Sequence, residues 1–268
     1  MTTDTPIKLI AIDLDGTLLN SHHKVSQRTL EVIRRAAASG IHIVIATGRP
    51  RWSGYAFADQ LGLKTPGVYL QGLTVYDMDG NLVHEQYMDP DVVRKVVEFC
   101  NARRYTVMLY NRDRSFAKER NPLTDRMMQY GESLPQFVET LADIPGQVII
   151  NKTVIVSENH ADQIRHELAS ELNGAATVFL SQPNLVETLP LGASKGNGVR
   201  RVIEDLGIPV EQTMAIGDGE NDIEMLQYVG FGVAMANATP RLKQVAKHIT
   251  LSNDEDGVAV AIEQFVLR

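Results

Sequence analysis

The chain has 268 residues, 44% hydrophobic and 22% charged, with a formal net charge of −7. It is long for one compact domain, comfortable for two, and able to bury a real core. The acidic balance argues against a general nucleic-acid binder, which needs a basic face.

The single cysteine, Cys100, excludes an internal disulfide and fits a reducing compartment. It lies in the helical pattern VVRKVVEFCNARR, where a buried structural thiol is expected rather than a nucleophile. No apolar run approaches the about 18 residues that span a bilayer. The start, MTTDTPIKLIAIDLDG, lacks a signal peptide's basic opening and uninterrupted apolar core. The expectation is a cytoplasmic protein without a membrane or nucleic-acid partner.

In chain order, IKLIAID is nearly all apolar and reads as a strand buried on both faces, as in a parallel sheet. SQRTLEVIRRAAASG follows as a helix, with Ser26 as N-cap and Gly40 as stop. IHIVIAT is a second buried strand, and RWSGYAFADQLG a helix ending near Gly62. This β-α-β-α order marks a wound α/β sheet. The middle, roughly 84–190, changes grammar. Asp89-Pro90 opens a helix, and YTVMLY follows as a strand. QVIINKTVIVS reads as a long β run, ADQIRHELASELNG as a helix, and ATVFLSQPNLVETLP as two strands about a Gln-Pro-Asn turn. The end returns to α/β: KGNGVRRVIEDLG helix, TMAIGD strand, NDIEMLQYVG helix, FGVAM strand, TPRLKQVAK helix and DGVAVAIEQFVL helix. The expected organisation is a wound α/β core over 1–83 and 191–268, with an α+β module inserted at 84–190.

The pattern Asp-x-Asp-Gly occurs twice, at Asp13–Gly16 and at Asp77–Gly80. The second copy lies between the β-like runs LTVY and LVHEQY and reads as hairpin chemistry. The first follows a buried strand. In an open α/β sheet the carboxyl ends of the strands form the ligand crevice. Asp13 and Asp15, two apart, begin on the same side of an extended backbone. Two such carboxylates repel, and a bound cation would relieve them. A polar strand end followed by a turn is the plain alternative.

Other strand ends and loops add weight. IHIVIATGRP ends in Thr47-Gly48-Arg49, a hydroxyl and an approachable N–H suited to a phosphate oxygen. TMAIGDGENDIEML ends in Asp218, Asn221 and Asp222 at a helix start: N-caps, or oxygen ligands for a hard cation such as Mg²⁺. Lys195 opens a helix, an electropositive place where a lysine is unfavourable unless an anion is near. Each is ambiguous alone; the four together are not.

With DLDGTLL, ATGRP, Lys195, GDGENDIEML, GFGVAMANATP and SNDEDGVAVAIEQF in place, the chain resembles the haloacid dehalogenase superfamily almost end to end, and within it the Cof-like phosphatases with the large type IIB α+β cap. The resemblance implies a HAD-like wound parallel-sheet core with that cap inserted. It implies Asp13 as nucleophile, forming an aspartyl-phosphate, and Asp15 as general acid and base. It implies Mg²⁺ held by the Asp13 carboxylate, the Asp15 main-chain carbonyl and Asp218, with Asp222 in support. Thr47, Lys195, Asn221 and the backbone N–H groups near Leu14 and Gly48 would hold phosphate oxygens. Gly16 would let the chain turn away from the reacting centre. Gln71-Gly72-Leu73 stands where family members often carry Asn-Gly-Ala, a departure that bears on substrate preference rather than phosphate chemistry.

The implied function is a Mg²⁺-dependent phosphomonoesterase acting on small phosphorylated metabolites, sugar phosphates foremost, as a monomer or weak homo-oligomer. A sugar phosphomutase or phosphotransferase of the same superfamily is an alternative. So is a receiver-like phospho-acceptor signalling protein, although such domains are about half this length and lack an inserted cap. The basic stretch from Arg103 to Arg126 reads as a solvated face with local ion pairs, ahead of a surface that attracts anionic metabolites. Trp52 and Tyr55 read as packing residues, and His22 and His23 as exposed loop.

Overall fold

A computed structural model describes residues 5–62 and 64–267. The first stretch contains β1 (Leu9–Ile12), α1 (Gln27–Ala38), β2 (His42–Ala46), α2 (Arg51–Leu61), β3 (Gly67–Tyr69), β4 (Thr74–Tyr76) and β5 (Leu82–Glu85). The middle contains α3 (Pro90–Arg103), β6 (Thr106–Tyr110), β7 (Ser115–Ala117), α4 (Pro122–Arg126), β8 (Gln136–Phe137), β9 (Lys152–Val156), α5 (Ala161–Leu172), β10 (Thr177–Gln182) and β11 (Leu185–Leu189). The end contains α6 (Lys195–Asp205), β12 (Thr213–Gly217), α7 (Ile223–Tyr228), β13 (Phe231–Ala234), α8 (Pro240–Val245), β14 (His248–Ile249) and α9 (Gly257–Phe265). Among the described residues, no helix is long and apolar enough to cross a membrane.

The chain divides into two compact units. One holds the residues through Gly48, Gly54–His84 and Ser194 onward; the other holds Arg49–Ser53 and Glu85–Ala193.

The first unit is built on an eight-stranded sheet of order β14-β13-β12-β1-β2-β3-β4-β5. β1 runs parallel to both neighbours, with Ile12 opposite Ile216 and Ile45. Every residue of β1 is buried, as its unbroken apolar run requires of a strand covered on both faces. Helix α1 starts where the Ser26 hydroxyl accepts the Thr29 N–H at 3.0 Å, and it buries Leu30, Val32, Ile33 and Ala36. Because β1, β2 and β12 are parallel, their carboxyl ends lie side by side. Asp13, Thr47 and Asp218 are the residues that follow.

The hairpin between β4 and β5 carries the second Asp-x-Asp-Gly. The Asp77 carboxylate accepts N–H groups from Asp79 at 2.9 Å and Asn81 at 2.8 Å, and the Asn81 side chain at 3.0 Å. Gly80 supplies the positive φ of 83°. The Asn81 bonds hold the Asp77 carboxyl below its ordinary range. These aspartates close a turn.

The second unit has a six-stranded sheet of order β10-β11-β9-β6-β7-β8, antiparallel except for β7 beside β8. Val93, Val97 and Cys100 of α3 and Ile164 and Leu168 of α5 share a core with Leu109, Ile155 and Val186. Burial pushes the Cys100 thiol up to about 12, so it is inert at neutral pH. The expected β run from Gln147 to Ser157 is shorter in the structure, where strand pairing begins only at Lys152. The reason is competition for backbone groups. The Ile150 carbonyl accepts the Met88 N–H at 2.8 Å, while the Asn151 N–H still donates to the Tyr110 carbonyl at 2.7 Å. The incoming chain thus occupies the Ile150 carbonyl.

The basic stretch is laced with ion pairs. Arg112 meets Glu85 at 2.8 Å, Arg120 meets Asp125 at 2.8 Å and Arg126 meets Glu158 at 2.7 Å. Trp52 stacks on Tyr110 with centroids 6.3 Å apart and planes 7° from parallel, so it packs. Tyr55 is 42% exposed. The Arg49 guanidinium is buried, donates to the Tyr130 carbonyl and lies 5.8 Å from that ring's centroid. These contacts show how Arg49–Ser53 joins the second unit.

In the first unit, Gly72 has φ of 91°, and a Cβ there would stand 2.1 Å from the Ser194 carbonyl oxygen. Backbone cannot yield as a flexible side chain can. Gly72→Ala is therefore expected to cost about 2 kcal/mol or more of stability. A urea titration reads this; an unchanged midpoint would contradict the close approach.

Candidate active site

Asp13 is the first residue past β1, and its N–H is tied to the Ile216 carbonyl at 3.1 Å. That bond fixes the carboxylate at the sheet's carboxyl edge. Lys195 is the first residue of α6, whose N-cap Ser194 accepts the Asn197 N–H at 3.1 Å. The Lys195 ammonium is buried and donates to Asp13 Oδ1 at 2.7 Å and to Asp222 Oδ1 at 2.8 Å. Burial alone would push the lysine down, but the Asp13 and Asp222 carboxylates outweigh it and the net shift is upward. A lysine at a helix N-terminus is thus compensated by the anions it faces.

Asp222 is fully buried and both its oxygens are used. Oδ1 takes Lys195; Oδ2 accepts the N–H groups of Asp218 and Gly219, each at 3.0 Å. The sequence allowed these acidic residues to be N-caps, and Asp222 does cap the loop, while also anchoring the lysine. Asp218 Oδ1 accepts the Thr17 hydroxyl at 2.8 Å. Its carboxylate has an oxygen within 4.8 Å of one of Asp13. Gly16 leaves room for it: a Cβ at Gly16 would fall 2.3 Å from Asp218 Oδ2, and φ there is 77°. Gly16 is needed both for its turn and for this approach.

Asp13, Asp218 and Asp222 can each offer an oxygen within 4.8 Å of one another. Since Asp222 is committed to Lys195 and two N–H groups, Asp13 and Asp218 are the carboxylates left to hold a metal ion. Burial raises both carboxyls, with Asp222 adding to each; Lys195 lowers them, but not enough. Asp13 lies well above its ordinary range and Asp218 at about 7. Two close buried carboxylates need a proton or a cation between them. An all-oxygen donor set fits a hard divalent cation.

The other candidates lie around this cluster. Asp15 is partly exposed, with His23 Nδ1 at 4.0 Å from its Oδ1. The Leu14 side chain is buried and its carbonyl accepts the Leu19 N–H at 2.9 Å. Thr47 is buried, its N–H tied to the Val68 carbonyl at 2.9 Å. The Asn221 side-chain amide donates to Gln71 Oε1 at 3.0 Å, and the Gln71 N–H donates to the Thr47 carbonyl at 3.1 Å. A Cβ on Gly48 would lie 2.4 Å from Gln71 Nε2. Gln71 therefore links the strand ends that carry Thr47 and Asn221.

Several contributors escaped the sequence reading. Thr17 follows Gly16 directly, so its motif could have flagged it. Asn237, whose side chain donates to the Gly16 carbonyl at 2.8 Å, sits in the quoted stretch GFGVAMANATP. His23 had no signal, since only folding of its loop brings it to Asp15.

Residues 10–262 match the sequence model of the haloacid dehalogenase-like hydrolase family. The Arabidopsis thaliana protein named Endoribonuclease YBEY, chloroplastic, is 35% identical over 96% of this chain, which spans only 46% of that relative's length. The Bacillus subtilis 5-amino-6-(5-phospho-D-ribitylamino)uracil phosphatase YcsE is 31% identical over 98% of both chains. A solved haloacid dehalogenase-like hydrolase from Bacteroides thetaiotaomicron is 30% identical, with a TM-score of 0.85 over 96% of this chain and 98% of that one.

The raised carboxyls carry a pH signature. In the folded, cation-free protein Asp218 keeps its proton to about pH 7, while the unfolded chain releases it near 3.8. The contribution of these groups to stability is thus full at low pH and lost as pH rises through that window. A divalent cation takes the proton's place and binds better once it has gone. Added cation should raise Tm more at about pH 8 than at about pH 5. Equal shifts at the two pH values, or none, would contradict the assignment.

Proposed function

The chain belongs to the haloacid dehalogenase-like hydrolases, and we propose that it is a Mg²⁺-dependent phosphomonoesterase acting on small phosphorylated metabolites, sugar phosphates foremost. The observation that carries this reading is Lys195. Its buried ammonium joins Asp13 to Asp222 beside the Asp218 carboxylate. A carboxylate nucleophile attacking an anionic ester faces repulsion, and this is the arrangement that offsets it.

Asp13 attacks phosphorus, the ester oxygen departs and an aspartyl-phosphate forms. Asp15, whose carboxylate is partly exposed, donates a proton to the departing oxygen. It then takes one from the water that cleaves the acyl phosphate. Thr47, Asn221 and the N–H groups near Leu14 and Gly48 hold phosphoryl oxygens, with Lys195 as the neighbouring cation. Asp13, Asp218 and the Asp15 carbonyl hold the Mg²⁺, which when bound neutralises phosphoryl charge. Asp222 supports Lys195 and the 218–219 turn. The core of residues 1–83 and 191–268 carries the chemistry, and the insertion at 84–190 selects the substrate. The YcsE relative, named for a phosphorylated ribityl compound, supports small phosphate esters as the substrate class. A cytoplasmic location belongs to the same reading.

The test is turnover of a panel of aryl and sugar phosphates with and without Mg²⁺, with free phosphate as the product. Asp13→Asn should fold yet lose more than about a thousandfold in kcat. Asp77→Asn should stay within about twofold of wild type, because Asp77 serves a turn. Comparable losses at the two positions would move the active site elsewhere.

A further inference from the structure

Leu70, Gln71 and Gly72 follow one another at positive φ, 50°, 61° and 91°. Glycine accepts that region freely, but leucine and glutamine do so only at a cost. Such strain persists where the surroundings over-determine it, and it gathers at functional sites. Here the backbone is held at both ends. The Gln71 N–H is tied to Thr47, and Gly72 is pressed against the Ser194 carbonyl one residue before Lys195.

The strained turn delivers one side chain. Gln71 is 2% exposed, a long polar group kept inside. Its Oε1 accepts one Asn221 Nδ2 hydrogen at 3.0 Å, and its Nε2 lies over Gly48, where no side chain obstructs it. Asn221 Oδ1 lies over Gly219, 2.3 Å from where a Cβ would stand, so no side chain there crowds it. A terminal amide can turn either end outward, and only the nitrogen end suits an anion. An acceptor at Oε1 selects the nitrogen end and leaves its second hydrogen for a substrate oxygen.

We infer that Gln71 is a positioning residue, whose side-chain oxygen orients the Asn221 amide as a donor to the substrate's phosphoryl group. This rests on the phosphatase reading. The strain is the cost of bringing the amide to that point. A glycine at position 71 would relax the backbone but lose the amide, and an apolar residue would leave Asn221 free to rotate.

The test is a double-mutant cycle with an aryl phosphate and Mg²⁺, using wild type, Gln71→Met, Asn221→Ala and the double variant. Gln71→Met should lower kcat/KM roughly tenfold, mainly through a higher KM, the loss expected of an oriented hydrogen bond to a charged group. In the Asn221→Ala background the same change should cost less than about twofold. Gln71→Gly, which relieves the positive φ and keeps the fold, should repeat both results with Tm maintained. An equal loss in both backgrounds, or no loss in either, overturns the inference. If wild type turns over no ester, the phosphatase reading fails. The same cycle is then read as affinity for inorganic phosphate by calorimetry, where coupling between positions 71 and 221 supports the inference and its absence overturns it.

Discussion

The structure of the site depends on one buried ammonium. Lys195 joins the end of β1, through Asp13, to the loop after β12, through Asp222. Burying a charge is costly, and one lysine flanked by two carboxylates is a poor way to gain stability. Its value lies in position. The charge sits where α6 begins, already close to Asp13, so no rearrangement is needed when an anionic group arrives. Asp222 serves two sides at once, with one oxygen on the lysine and the other on two loop N–H groups. Removing it would leave a buried cation half paired and a turn uncapped.

The same cluster explains the glycines around it. Gly16 is where Asp218 approaches the first loop, and Gly217 is where Asp222 crowds the strand end, with a Cβ there only 2.6 Å from the carboxylate. Gly48 makes room for Gln71, and Gly219 for Asn221. Four glycines at three strand ends let polar side chains reach one place. The parallel sheet supplies the frame, since β1, β2 and β12 all end on that side.

Much of this was legible in the sequence. Unbroken apolar runs gave away the buried parallel strands, and Ser26 and Asp89 marked helix starts that the structure bears out. The two Asp-x-Asp-Gly copies could be separated by their flanks: a buried strand before Asp13, hairpin runs around Asp77. Other features were beyond local reading. The run from Gln147 to Ser157 has β composition throughout, yet the Ile150 carbonyl is claimed by the Met88 N–H. Arg49 and Trp52 follow a strand-end motif of the first unit but pack within the second. Gln71 stood out as a departure, but its role could not be read from spacing. Its reach to Asn221, 150 residues away, exists only once both loops meet.

The proposed mechanism places the bond to phosphorus on the Asp13 carboxylate. Borohydride added during turnover reduces an aspartyl-phosphate to homoserine, and peptide mass spectrometry locates the change. Homoserine is expected at position 13 and nowhere else. Reduction at another aspartate, or none while free phosphate is being released, would contradict it.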